Sequence, residues 1–291
     1  MAMELTGLEG KVAVVTGAGR MRGIGRAIAV ALARAGCDVA ITGTGRDPAS
    51  LAEAERAAGW RDIDSVAEEI EALGRRALPL ILDVTNAFQI DLVASNTVNA
   101  LGRVDFVVNN AGSTRGLDQN PVVDVPPNAW RRVMDVNLNG AFYVSRAFGR
   151  RLVAQGEGGA IINISAIASK VFSANEAAYS ASKAGQNALT ACMAREMGQY
   201  KVRVNAVCPG LVDAARMDST PRGKDAARQE GVGAKANAGF DWDAHVETNI
   251  PLGRAGERDD VANAVVYLCS DQGSWITGQS INVDGGNCVW H

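Results

Sequence analysis

Residues 12–27, VAVVTGAGRMRGIGRA, decide the fold that this sequence predicts. A run of β-branched and apolar residues ends at Thr16, glycines follow, and an amphipathic helical pattern begins near Gly25. Glycines let a backbone approach a pyrophosphate, and a helix N-terminus offers unpaired N–H groups and the positive end of its dipole. The stretch therefore predicts a strand, a glycine-rich turn and a helix that together bind a dinucleotide. A plain β-turn-α connection, with glycines for tight packing, is the alternative.

Short apolar runs alternate with helical patterns along the whole chain. Strands are predicted at 12–16, 39–42, 77–82, 104–108, 160–165, 202–207 and 280–283, and helices at 25–35, 64–73, 89–101, 129–151, 176–198 and 259–270. Pro79 predicts an edge or early position for the third strand, because proline cannot donate a ladder hydrogen bond. The alternation predicts a single α/β domain over residues 1–291, with one Rossmann-type, doubly wound parallel sheet of about seven strands and helices on both faces. Residues 213–251 are expected to form an irregular insert after the sixth strand.

Composition and charge exclude several classes of protein. The chain has 29 basic and 32 acidic residues, a net charge of −3 and no basic stripe interleaved with aromatics, so we expect no nucleic-acid partner. No apolar run approaches the roughly 18 residues of a membrane span, and the N-terminus lacks the pattern of a signal peptide. Five scattered cysteines and two histidines predict free thiols in a cytoplasmic, reducing compartment and no metal site.

Tyr179 and Lys183 are four residues apart in the segment AAYSASKAG, residues 177–185. On an α-helix this spacing puts both side chains on one face. An ammonium beside a phenol favours the phenolate, so the pair makes an acid or base that works near neutral pH. Such a pair also occurs by chance on many helices, and the glycine turn upstream is what makes it significant.

With five further motifs, the chain resembles the classical short-chain dehydrogenase/reductase family over nearly its whole length. Those motifs are Asp83-Val84, Asn109-Asn110-Ala111-Gly112, Asn137, Pro209-Gly210 and Val283-Asp284-Gly285-Gly286. The resemblance implies NAD(P)-dependent interconversion of an alcohol and a carbonyl compound, a small-molecule substrate, and a homotetramer or homodimer.

The resemblance also implies roles for single residues. Tyr179 is the general acid/base, Lys183 favours its phenolate and binds the nicotinamide ribose, and Asn137 holds a water that relays protons to Lys183. The residues expected at the cofactor are Gly17, Gly19, Arg20, Arg22, Gly23, Ile24, Gly25, Thr44, Arg46, Asp83, Val84, Asn110, Ala111, Gly112, Tyr179, Lys183, Pro209, Gly210 and Val212.

The glycine turn and the loop after the sixth strand depart from the family pattern. Gly17 and Gly23 enclose five residues where the family usually has three, so two residues must bulge, around 21–22. A threonine often follows the family's Pro-Gly pair and binds the nicotinamide carboxamide, but the chain has Ala214 there. Asp213 or a backbone group is the expected substitute.

The family's catalytic serine is also missing. It normally stands 13 positions before the tyrosine, where this chain has Ala166 preceded by Ser165. Because strand side chains alternate between faces, Ser165 should point away from the site. Three explanations remain open. The chain is a substituted variant of a normal enzyme, or Ser169, Ser173 or a substrate group replaces the hydroxyl, or the chain binds cofactor with little turnover.

The end of the second strand indicates the cofactor. An acid at this point binds the ribose 2′-hydroxyl and repels a 2′-phosphate, but none is present before Asp47. Thr44, Arg46, Arg20 and Arg22 are suited to bind a phosphate. The sequence therefore favours NADP(H), with NAD(H) as the alternative if these arginines are solvated.

The sequence thus predicts an oxidoreductase that reduces a ketone or aldehyde with NADPH, or runs the reverse reaction. The alternative is a cofactor-binding sensor or scaffold of the same fold, catalytically impaired by Ala166 and Ala214. The insert, with Phe240, Trp242 and His245 among many polar residues, is typical of a mobile substrate loop.

Overall fold

The computed structural model describes residues 5–114, 116, 118–214 and 241–289. In that part of the chain, seven strands form one sheet in which every neighbouring pair is parallel. They are β1 (Val12–Val15), β2 (Asp38–Gly43), β3 (Ala77–Ile81), β4 (Phe106–Asn109), β5 (Gly159–Ile164), β6 (Val202–Pro209) and β7 (Ser280–Val283), in the order β3-β2-β1-β4-β5-β6-β7. The predicted doubly wound sheet is confirmed, and the strand that contains Pro79 lies at its edge.

Nine α-helices connect the strands in the described segments. They are α1 (Ile24–Arg34), α2 (Glu53–Ala57), α3 (Ile63–Ala72), α4 (Ala87–Leu101), α5 (Pro127–Met134), α6 (Gly140–Gln155), α7 (Ala177–Met197), α8 (Trp242–Asn249) and α9 (Arg258–Cys269). The long polar stretch after β2 contains α2. None of these helices is long and apolar enough to span a bilayer.

The sheet separates two hydrophobic cores because its side chains alternate between faces. On β1, Ala13 and Val15 pack into the core that α1, α3 and α9 cover. Val12 and Val14 pack into the other core, with Phe148 of α6. All four β1 residues are buried, as expected for a parallel strand covered on both faces.

The prediction of one continuous helix at 129–151 is wrong. Its α-helical turns are interrupted by a π-helical segment, Asp135–Asn139, which separates α5 from α6. π-helical segments are rare and occur often at functional sites. Here the segment contains Asn137, which is fully buried.

All strands of a parallel sheet end at the same side, where ligands of such folds bind. The strand order reverses between β1 and β4, so the glycine turn after β1 and the residues after β4 meet at that point. The candidate site is built on this side of the sheet.

Candidate active site

Tyr179 and Lys183 lie together on α7, as the sequence predicts. The ammonium nitrogen of Lys183 is 5.8 Å from the centre of the Tyr179 ring. Lys183 is only 4% exposed, and its ammonium donates to the carbonyl oxygen of Ile164, at the end of β5, at 2.7 Å. The charge is therefore held beside the phenol in a site largely shielded from water, where it acts more strongly than in solvent.

Asn137 is joined to this pair by hydrogen bonds from its own side chain. Its Oδ1 accepts from the Ser113 amide at 2.8 Å, and its Nδ2 donates to the Ser182 hydroxyl at 2.9 Å. That hydroxyl donates in turn to the Tyr179 carbonyl oxygen at 2.7 Å. The amide group of Asn137 thus fixes the start of α7 against the loop after β4.

The backbone carbonyl of Asn137 also has a partner, which the sequence did not indicate. It accepts a hydrogen bond from the side-chain nitrogen of Gln186 at 2.8 Å. The side-chain oxygen of Gln186 accepts from the Lys183 ammonium at 2.9 Å. Gln186 is therefore part of the site, and the signal that could have found it is a polar residue three positions after Lys183 on the same helix.

The glycine turn fits the diphosphate of a dinucleotide. Gly17 has a φ of +69°, and a Cβ there would lie 2.8 Å from the Cα of Ala111. Asn110 joins the two segments, since its Nδ2 donates to the carbonyl oxygens of Thr16 and Gly17 at 2.9 and 3.0 Å. Among the described residues, no side chain caps the N-terminus of α1 and its first turn has no acidic residue, which suits a bound anion.

The space beside Gly112 also suits a cofactor. A Cβ built there would find its nearest neighbour, the Oδ1 of Asn137, at 3.6 Å. The predicted residues Gly17, Asn110, Ala111 and Gly112 are therefore brought together, although Asn110 itself bonds the protein backbone.

The two extra residues of the turn contact distant segments. The Met21 amide donates to Oε1 of Glu55 at 3.0 Å, and the Met21 carbonyl accepts from Arg26 at 2.7 Å. Arg22 forms an ion pair with Asp213, in the loop after β6. The bulge therefore joins the polar stretch after β2 on one side and the start of the insert on the other.

Arg46 is engaged by two acids that do not adjoin it in the sequence. Its guanidinium pairs with Glu55 at 2.8 Å and with Asp62 at 3.1 Å, and both carboxylates are buried. Burial raises the pKa of Glu55, but hydrogen bonds from Arg46 and from the Met21 amide outweigh it and hold that pKa below its usual value. The Arg46 side chain, which the sequence predicts at a phosphate, is thus held by Glu55 and Asp62 in this structure.

Asp62 also lies beside the end of β2, where the sequence shows no acid. Its Oδ2 is 3.5 Å from the place of a Cβ on Gly43, and its Oδ1 would clash with a Cβ on Gly19. The indole of Trp60 closes the same corner by donating to the Gly19 carbonyl at 2.7 Å. A carboxylate therefore reaches this corner from a residue 19 positions after Gly43 along the chain.

The other predicted cofactor residues are distributed around the same side of the sheet. Oδ1 of Asp83 accepts from the amide and hydroxyl of Thr85 at 2.9 and 2.8 Å, and the bond from the amide is the main reason why the pKa of Asp83 is lowered. Val84 is buried next to Gly140. The remaining turn and strand-end residues are half-buried Gly23 and Ile24, buried Gly25, and exposed Arg20 and Thr44.

The loop after β6 begins beside β7. The Gly210 amide donates to the Val283 carbonyl at 3.1 Å, and Pro209 pairs with Val283 in the sheet. Val212 forms an isolated bridge with Gly256. Ala214, at the place of the usual threonine, is buried.

Ala166 and Ser165 are both buried. The Ser165 hydroxyl donates to the Lys183 carbonyl oxygen at 3.1 Å, so it is bonded to the α7 backbone. The Ser169 hydroxyl is hydrogen-bonded as well: it donates to the Ala166 carbonyl at 2.6 Å and accepts from the Asn187 side-chain nitrogen at 2.7 Å. Of the two predicted serine substitutes, Ser173 is the exposed one.

Of the insert, the structure describes residues 213–214 and 241–251, and Phe240 lies outside the described residues. In α8, Trp242 is buried, and His245 has its Nδ1 3.4 Å from the Asn249 amide nitrogen. Burial lowers the pKa of His245. In the described segments, no three acidic, cysteine or histidine residues cluster as metal ligands would.

The chain is similar to known proteins over almost its whole length. The family model described as enoyl-(acyl carrier protein) reductase matches residues 17–287. The chain is 36% identical over 278 residues to the L-rhamnose 1-dehydrogenase (NAD(P)(+)) of Azotobacter vinelandii, with 95% of this chain and 96% of that protein covered. It is 32% identical over 279 residues to the 3-oxoacyl-[acyl-carrier-protein] reductase of Thermotoga maritima, with 96% and 98% covered.

A solved structure of similar fold is a 7α-hydroxysteroid dehydrogenase complexed with NADH and 7-oxo glycochenodeoxycholic acid. It matches with a TM-score of 0.78 at 30% sequence identity, and the match covers 96% of this chain and 94% of that one. The names of these three proteins refer to chemically different compounds, so the likeness identifies the scaffold and not one substrate.

Proposed function

The chain belongs to the short-chain dehydrogenase/reductase family, and we propose that it is an NAD(P)-dependent oxidoreductase that interconverts an alcohol and a ketone or aldehyde. The observation that carries the proposal is the Lys183 ammonium, buried and 5.8 Å from the Tyr179 ring. A protein that only binds a nucleotide has no need of a buried ammonium beside a phenol at this place.

In the proposed mechanism, Tyr179 moves the proton. When bound, the nicotinamide dinucleotide supplies or accepts the hydride. The Tyr179 hydroxyl gives its proton to the carbonyl oxygen of the substrate during reduction and takes one from the alcohol during oxidation. Lys183 stabilises the phenolate that reduction leaves behind, and the Asn137 side chain holds the start of α7 in place through Ser182.

Substitution of Tyr179 by phenylalanine tests this role. Tyr179→Phe should abolish turnover on a panel of ketones, aldehydes and alcohols, while the cofactor dissociation constant, measured by calorimetry, stays nearly the same. Tyr143→Phe, on α6, is the matched control and should keep wild-type turnover. Retained turnover in Tyr179→Phe would show that another group transfers the proton.

For the cofactor, the contacts of Arg46 lead us to propose NAD(H) in place of the NADP(H) that the sequence favours. One guanidinium faces two carboxylates, Glu55 and Asp62, which leaves one net negative charge beside the end of β2. A 2′-phosphate bound there would be repelled by it. At about 4 Å and an effective dielectric constant of about 20, a pair of unit charges interacts by roughly 4 kcal/mol, as an upper bound.

The dissociation constants of NADH and NADPH test the preference. We expect NADH to bind more tightly, and Asp62→Asn, which keeps the shape of the side chain, to tighten NADPH about tenfold or more. Asp64→Asn removes an exposed charge two residues along and should change neither constant. Tighter binding of NADPH to the unaltered protein would restore the original expectation.

A second candidate function is a cofactor-binding sensor or scaffold with impaired chemistry. Ala166 and Ala214 favour it, because each replaces a group that the family uses for catalysis or for the nicotinamide. Cofactor binding without turnover on the whole carbonyl panel would support this alternative over the enzyme.

We further propose that the chain works in the cytoplasm as a homotetramer or homodimer and that residues 213–251 form its substrate loop. Exposed apolar side chains on α4 and α6, Phe88, Leu92 and Phe142, support association between copies. Analytical ultracentrifugation measures the oligomeric state, and a monomer at assay concentration would contradict the proposal.

A further inference from the structure

Gln186 connects the two groups that should be joined by a relay water. It lies three residues after Lys183 on α7, and its side chain is fully buried. Its carboxamide oxygen accepts from the Lys183 ammonium at 2.9 Å, and its carboxamide nitrogen donates to the Asn137 carbonyl oxygen at 2.8 Å. One neutral side chain thus spans the gap between the ammonium and the π-helical segment.

The two partners fix the orientation of this carboxamide. An ammonium only donates hydrogen bonds, and a backbone carbonyl only accepts them. A carboxamide turned by half a rotation would set two donors against each other at Lys183 and two acceptors against each other at Asn137. The assignment of oxygen and nitrogen therefore follows from the chemistry of the neighbours.

The groups behind Gln186 are neutral and hold it in place. Its backbone carbonyl accepts from the Thr190 hydroxyl at 2.8 Å, and that hydroxyl accepts from the Asn163 side chain at 2.8 Å. Asn163 in turn accepts from Asn109 at 2.8 Å. These side chains are buried amides and a hydroxyl. The hydrogen-bonded chain from Asn109 on β4 to Gln186 on α7 therefore contains no titratable group.

We propose that Gln186 is a positioning residue for Lys183 and that its carboxamide takes the place of the relay water between Lys183 and Asn137. This inference rests on the proposed function. A water in that place can accept one proton and release another, whereas a neutral carboxamide does not do so near neutral pH. After Tyr179 has protonated the substrate, the phenolate of this half-buried residue therefore takes its next proton from solvent and not through Asn137.

Two substitutions of Gln186 test the inference. Gln186→Glu keeps an oxygen facing Lys183, but once ionised it cancels the field of the ammonium at the phenol. We expect it to raise the pH of half-ionisation of Tyr179 by about one unit or more. Gln186→Met keeps the length and removes both hydrogen bonds. We expect it to lower kcat about tenfold, with a much smaller change in the KM of the carbonyl substrate.

The ionisation of Tyr179 is measured without cofactor or substrate. Ultraviolet titration of each variant, minus that of the same variant carrying Tyr179→Phe, isolates one of the four tyrosines. Thr190→Val is the matched control, because it removes buried hydrogen bonds one turn further along α7. It should lower the stability and leave the titration of Tyr179 where it is in the unaltered protein.

Each result separates the inference from the proposed function. An unchanged titration of Tyr179 in Gln186→Glu, in a protein whose circular dichroism shows it folded, overturns the inference. If Lys183→Met leaves the titration of Tyr179 unchanged, the acid–base pair itself is refuted, and with it the proposed function.

Discussion

Replacing Ala166 with serine tests how the chain works without the usual hydroxyl beside Tyr179. Ala166 is the second residue after the end of β5, is buried, and has an extended backbone with φ −165° and ψ 161°. Its carbonyl oxygen accepts from both the amide and the hydroxyl of Ser169, at 3.0 and 2.6 Å. The Cβ at this position is therefore held firmly, and the reach of a new Oγ depends only on its χ1 rotamer.

The expected gain follows from the value of one such donor. A hydrogen bond to a developing oxyanion contributes about 10²–10³ in rate, or roughly 2.7–4 kcal/mol. Restricting the new hydroxyl to one of three rotamers offsets about 0.6 kcal/mol of this. We therefore expect Ala166→Ser to raise kcat about 30- to 300-fold with cofactor affinity unchanged.

The assay is the reduction of a broad panel of ketones and aldehydes, with NADH and with NADPH, followed by nicotinamide absorbance. Ala168→Ser adds the same hydroxyl two residues later, in the short 3₁₀ turn, and should leave the rate as it is. Equal turnover by the unaltered chain and by Ala166→Ser would refute the reasoning. It would mean that Ser173 or a group of the substrate already donates the hydrogen bond.

Three further predictions concern the cofactor side of the site. Gly17→Ala places a side chain at φ +69° against the loop after β4 and should cost about 1–3 kcal/mol in urea unfolding, whereas Gly59→Ala, at φ +64° with open space around it, should cost less. The pKa of Glu55 is lowered in the folded protein, so Glu55 stabilises the fold fully above about pH 4.5, and this stabilisation is lost as the pH falls through the lower folded pKa. Glu55→Gln should therefore be less stable than the unaltered protein at neutral pH, and its stability should fall less in acid. A double-mutant cycle of Arg22→Ala and Asp213→Asn on the free energy of unfolding should give a coupling of about 0.2–1 kcal/mol, because both side chains are partly exposed. A coupling of zero would show that this ion pair does not stabilise the fold.

Features that depend on the residues of a single strand or helix were predictable from the sequence. The apolar runs and the proline rule gave the seven strands and the edge position of β3, because burial on both faces and the lack of a ladder donor are local properties. The face shared by Tyr179 and Lys183 followed from helical spacing alone. The π-helical segment was out of reach, since the pattern of apolar residues is compatible with an uninterrupted helix at 129–151.

Contacts between side chains of different elements were not predictable in this way. No acid adjoins Arg46 in the sequence, but its two partners are 9 and 16 residues away, on α2 and before α3. The role of Gln186 is hidden in the sequence for a related reason, because it depends on a hydrogen bond to the Asn137 carbonyl, 49 residues distant. In both cases the decisive group comes from a segment whose position only the folded chain defines.

The longer glycine turn and the long stretch after β2 are best understood as one unit. Met21, one of the residues at the bulge of the turn, bonds Glu55, and the Gly19 carbonyl accepts from both Arg46 and Trp60, at 3.1 and 2.7 Å. If the turn were shortened alone, the buried Glu55 would lose its backbone donor Met21 and would depend on Arg46 and the Ala52 amide. If the stretch after β2 were trimmed alone, the bulge would lose its supports. The longer turn and the stretch after β2 therefore support each other through these hydrogen bonds.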